Sequence, residues 1–122
     1  MANFYTGYVR LIETELSADS IVGEHTFNLD SFGARNNIIE YFHFVDGNDD
    51  QIDATAGTVV ITISSGQDIF QTIENGSFNA VDARSETRQK PNGFGRAEKI
   101  KIAFSGVTGA VGFRTLVSQS VS

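Results

Sequence analysis

Asn37-Ile38-Ile39-Glu40-Tyr41-Phe42-His43-Phe44-Val45 is the stretch that decides the fold class. It is rich in aromatic and β-branched residues, and both of its alternating sets are largely apolar. Ile39, Tyr41, His43 and Val45 fall on one side, and Ile38, Phe42 and Phe44 on the other. A strand patterned this way suits a central position covered on both faces, and it is the expected nucleus of the core. The same period of two continues on either side of it. Upstream, His25, Phe27 and Leu29 alternate with Glu24, Thr26, Asn28 and Asp30, which predicts one packed face and one wet face. Further upstream, residues 5–12 place Tyr5, Val9 and Leu11 opposite Tyr8, Arg10 and Ile12.

Downstream, Val59, Ile61 and Ile63 point one way in a β-branched run bounded by Gly57 and Gly66. Residues 69–73 and 77–81 flank Asn75-Gly76, a dipeptide suited to a tight hairpin turn. Ile100, Ile102 and Phe104 then alternate with Lys99, Lys101 and Ala103. Residues 105–109 are expected to turn the chain, and Val111, Phe113, Thr115 and Val117 to complete a second hairpin. About eight short strands with almost no helical stripe predict an all-β, antiparallel β-sandwich of jelly-roll-like form. Residues 82–96, charged and closed by Lys90-Pro91-Asn92-Gly93-Phe94-Gly95, are expected as a long exposed loop. A short helix over 82–89, capped by Asp82, would lack an apolar face.

At 122 residues the chain fits one domain, 1–122. Hydrophobic residues make up 40%, with ten phenylalanines, enough to form a core without a metal or staple. The absence of cysteine excludes disulfides, thiolate metal sites and a cysteine nucleophile. No apolar run approaches the roughly 20 residues of a membrane span, and residues 1–12 do not form a signal peptide, so a soluble, unexported protein is expected. The net charge of −6 argues against a nucleic-acid partner. Its distribution is uneven: thirteen acids against Arg10 and Arg35 in residues 1–83, then seven bases against Glu86 and Glu98 in residues 84–122. Either the two segments pair within one sheet, or they form separate acidic and basic faces that dock on neighbours.

Residues 46–50 carry oxygen ligands at alternate positions, as a calcium loop begins. The match stops there, because Gln51 stands where an EF-hand needs glycine and Gly57 where it needs glutamate, so a solvated acidic hairpin loop is expected. His25 and His43 alternate with apolar residues and are read as core or interface histidines rather than ligands. No nucleophile elbow, phosphate loop or paired acids is present, so neither an enzyme nor a cofactor is expected. Arg84, Arg88, Lys90 and Arg96 surround Phe94 in the only concentrated basic segment, the candidate partner-binding site.

The segment from Ala97 through Ser105-Gly106-Val107-Thr108-Gly109-Ala110 to Val117 resembles the closing hairpin of small tailed-phage virion proteins. These combine an alternating strand, a Ser-Gly-hydrophobic-Thr-Gly-Ala turn and a last strand carrying an arginine, here Arg114. The likeness covers the C-terminal part only and transfers no binding residue. It implies a capsid decoration, or cement, protein made in the host cytoplasm and carried on the virion surface. Its partners would be the major capsid protein and further copies of itself, as a homodimer or homotrimer. A carbohydrate-binding module and a tail or fibre adaptor are the alternatives. The lack of tryptophan and the placing of all three tyrosines in predicted strands weigh against the sugar platform.

Overall fold

The computed structural model describes residues 10–29, 34–64, 69–83, 88–89 and 98–121. Nine strands occupy them: β1 (Arg10–Ala18), β2 (Gly23–Asn28), β3 (Ala34–Val45), β4 (Gln51–Ile52), β5 (Ala56–Ser64), β6 (Gln71–Asn79), β7 (Arg88–Gln89), β8 (Lys99–Thr108) and β9 (Gly112–Val121). They form an all-β antiparallel sandwich of a five-stranded and a four-stranded sheet. The first sheet runs β1-β9-β3-β7, with β4 also on β3, and the second runs β2-β8-β5-β6. The pairings are nested: β1 with β9, β2 with β8, β3 with β7 and β5 with β6. The chain is therefore one long antiparallel ribbon wound over two layers, which is the jelly-roll order. The layers touch along one flank, where Glu74 of β6 pairs with Gln89 of β7.

Alternation places the core as expected in β2, β5 and β8. Val59, Ile61, Ile63, Ile100 and Ile102 are buried, while Glu24, Thr26 and Asn28 face solvent. From the first sheet, Phe42, Phe44 and Phe113 meet Phe104 of the second, and the Phe42 and Phe113 rings stack at 5.6 Å. Burying each such side chain stabilises by roughly 1.5–3 kcal/mol, so these phenylalanines tie the two sheets together without a disulfide.

The structure differs from expectation in five places. The first strand reaches Ala18, because Glu13, Glu15 and Ser17 are simply the wet face of a strand whose other face packs Leu16; residues 5–9 lie outside the described residues. In β3 a register shift between Ile39 and Tyr41 turns Ile39, Phe42 and Phe44 inward together and leaves Tyr41 outside, so only one face is fully covered. Asn75-Gly76 does not reverse the chain. It is a bulge within continuous β6, where residues 73–76 face Ile61 alone. Asn75 adopts φ 56° there, and a Cβ on Gly76 would lie 2.8 Å from the Ile61 carbonyl oxygen. Finally, β8 and β9 do not pair, because β8 already lies between β5 and β2, and β9 between β1 and β3. Residues 109–111 instead arch from one sheet to the other, with Gly109 at φ 87°. Inside the segment 82–96, Arg88 and Gln89 form β7 against β3, preceded by a 3-10 turn at Ala80–Asp82.

Candidate functional site

Nesting sends alternate connections to opposite ends of the sandwich. The connections β1 to β2, β3 to β5, β6 to β7 and β8 to β9 meet at one end, and the other three meet at the opposite end. The four-connection end contains all six described aspartates: Asp19, Asp46, Asp49, Asp50, Asp53 and Asp82. Arg114 near the start of β9 is the one described base there. Lys99 and Lys101 sit toward the far end of β8, and the backbones of Arg10 and Arg35 lie at that far end too.

This end is braced from within. Arg114 Nη2 contacts Asp49 Oδ1 at 2.7 Å and Asp19 Oδ1 at 3.1 Å, which links the β1–β2 connection to the β3–β4 hairpin. Arg114 Nη1 donates to the carbonyls of Phe113 at 2.8 Å and Ala18 at 3.3 Å. Partial burial alone would lower the guanidinium pKa, but the hydrogen bonds and charges of Asp19 and Asp49 outweigh it and raise the pKa further. The carboxylate of Asp46 accepts from the backbone N–H groups of Asn48 and Asp50 at 2.8 and 3.0 Å, closing an Asx turn whose Asp49 takes φ 65°. Thr55 and Thr108 join their hydroxyls at 2.8 Å. Asp46 is thus engaged by its own loop, and the described residues hold no group of three or more metal-ligating side chains.

The same end carries four of the six exposed large hydrophobic residues described: Val22 (78% exposed), Val111 (49%), Val81 (48%) and Ile52 (37%). Pattern reading missed them, and for two it pointed the wrong way, since Val81 and Val111 were expected inside strands. Both lie one or two residues beyond a strand, where alternation no longer fixes orientation. The signal available was an aliphatic residue directly before a glycine, as in Val22-Gly23 and Val111-Gly112.

Of the predicted partner-binding residues, Arg84, Lys90, Phe94 and Arg96 lie outside the described residues. The backbone of Arg88 opens β7, opposite Ile39 on the flank between the layers. His25 faces the core, edge-on to Phe104 and Phe113, with its buried Nε2 lacking a hydrogen-bond partner. His43 stacks on Tyr41 on the outer face of β3, with ring centres 5.3 Å apart. The Tyr41 hydroxyl donates to Glu15 Oε2 at 2.8 Å, and its pKa is raised by burial first and by the bond and charge of Glu15 second.

Comparison with protein-family models, with curated proteins and with solved structures finds no match to this chain.

Proposed function

We propose that this chain is a non-enzymatic structural protein of a phage virion, which binds and stabilises the capsid shell as a decoration protein. The observation that carries the reading is the polarity of the described residues: a braced end with six aspartates and four exposed aliphatics, and Lys99 and Lys101 toward the opposite end. A protein that joins neighbouring subunits needs two dissimilar surfaces, and jelly rolls serve widely as capsid domains. Stabilisation would follow mass action: a ligand of the assembled shell that does not bind free subunits shifts the balance toward the shell, and many copies multiply a modest contact. The test is co-sedimentation of the purified chain with heads made from the encoding genome with this gene disrupted. Saturable binding that raises the heads' resistance to heat supports the proposal, and no binding at any salt concentration rejects it.

A carbohydrate-binding module is the second reading, favoured by Tyr41, His43 and Glu15 sharing one open sheet face. Binding of an immobilised glycan that Tyr41→Ala abolishes would establish it instead.

A further inference from the structure

Among the described residues the strand path leaves two edges, β1 in the first sheet and β2 in the second, both on the flank opposite the β6–β7 junction. The two edges differ. On β1 the exposed Glu13 and Glu15 oppose self-pairing: a second β1 laid antiparallel about a two-fold axis at Glu13, Thr14 or Glu15 sets carboxylate against carboxylate. β2 carries no lysine and no proline, and its ladder with β8 runs without a bulge from Gly23 to Asn28.

The phase of that ladder is fixed by the Leu29 N–H, which donates to the Glu98 carbonyl at 2.8 Å. His25 and Phe27 therefore bond to β8 as Leu29 does, and the backbone N–H and C=O groups of the exposed Glu24, Thr26 and Asn28 point out of the sheet edge. No described strand meets them there. The edge is self-complementary. An antiparallel copy centred on Thr26 sets Thr26 against Thr26 and Glu24 against Asn28, each pair exchanging two backbone bonds, so every outward group of the strand is used. The side chains agree with that register, because threonine hydroxyls pair and the Asn28 amide donates to the Glu24 carboxylate. On the inner row it brings His25 opposite Phe27, both half-buried at the open edge.

We propose that β2 is a contact between two copies of this chain, which join edge to edge through Glu24, Thr26 and Asn28 and merge their second sheets into one. The proposal goes beyond the shell-binding reading and does not depend on it.

Sedimentation velocity over a dilution series tests it on the full chain, with Thr26→Pro, Thr26→Lys and, at the other edge, Glu13→Lys as a control. Thr26 is exposed and its N–H does not serve the β8 ladder, so neither replacement removes a bond within one copy, and thermal melts check folding. Wild type is expected to dimerise and Glu13→Lys to match it. Proline removes a donor from each copy, and lysine sets like charges across the axis, so each is expected to weaken dimerisation at least about tenfold. In hydrogen exchange the Glu24 and Asn28 amides should be protected in the wild-type dimer and unprotected in both Thr26 variants. A wild type still monomeric at millimolar concentration, or a dimer that both folded Thr26 variants retain, overturns the proposal. Protection of those amides in a monomer also overturns it, since another segment of the same chain would then cover the edge. A dimer that Glu13→Lys alone disrupts would place the contact at β1 instead.

Discussion

Arg114→Ala tests whether one side chain braces the acidic end. The arginine makes a good bond to the Phe113 carbonyl and a long one to that of Ala18, together worth about 1 kcal/mol. Its two carboxylate partners are mostly exposed, with side-chain accessibilities of 84% for Asp19 and 68% for Asp49, so each pair adds only about 0.5 kcal/mol. Both carboxylates would rehydrate after truncation, leaving no buried orphan charge to enlarge the loss. The expected cost is about 2 kcal/mol, or roughly 6–10 °C in Tm for a domain of this size. Urea denaturation at low salt and in about 1 M NaCl separates the contributions: screening removes the ionic half, so the difference from wild type falls to about 1 kcal/mol. Hydrogen exchange locates the effect. Residues 19–22 should exchange faster, whereas 46–50 should change less, because Asp46 still holds the N–H groups of Asn48 and Asp50. A loss below about 0.5 kcal/mol, or an equal loss at both salt concentrations, would refute the bracing argument.

Gly57→Ala should destabilise by about 3 kcal/mol or more, read as a large fall in Tm, because Gly57 has φ 105° and its new Cβ would lie 2.5 Å from Val107 Cα. His25→Phe should leave stability unchanged or raise it by about 1 kcal/mol in urea melts, since a ring of similar shape removes the unpartnered Nε2 from among Phe104 and Phe113. With Tyr5 and Tyr8 replaced by phenylalanine, ultraviolet titration should show Tyr41 ionising above the ordinary tyrosine value, and Glu15→Gln should bring it part of the way down, burial being the larger cause. Because its folded-state pKa is raised, Tyr41 contributes stability that is fully present below the ordinary tyrosine pKa and is lost as pH rises through the raised value. Replacing Arg84, Arg88, Lys90 and Arg96 together with alanine should weaken head binding if the basic segment is a second contact, and unchanged binding would remove that role.

The strands with one apolar face were legible in the sequence, because alternation fixes both conformation and orientation. β2, β5 and β8 and their buried residues were read directly. β3 was legible as a strand but not as a surface, since a single bulge before Tyr41 reassigns which residues face the core, and nothing local in Ile39-Glu40-Tyr41 marks it. The reversals at Asn75-Gly76 and at residues 105–109 failed for one shared reason. Asparagine and glycine report that a positive φ is tolerated, not what the chain does with it. At Asn75 the positive φ makes a bulge, and at Gly109 it helps an arch cross from one sheet to the other. A hairpin after β8 was closed off only by strands distant in sequence, β2 and β5, already flanking it.

The charge pattern follows the same logic. Along the sequence it reads as an acidic first two-thirds and a basic remainder, which suggested pairing between halves or two opposed faces. Nested pairing sorts it differently, because what matters is which connection a residue occupies. Asp19, Asp46, Asp49, Asp50, Asp53 and Asp82 belong to the connections that meet at one end, although Asp82 is 63 positions beyond Asp19. Among the described residues, Lys99 and Lys101 lie toward the other end, on β8. Within the sheets, Lys101 meets Glu24 only at 3.9 Å, a distance at which an exposed pair contributes little. Asp19 and Asp49 share Arg114, so the six described aspartates meet a single described base at their end. They remain as a field at one end of the molecule, falling off over a Debye length of about 10 Å at 0.1 M salt, where it acts on whatever approaches.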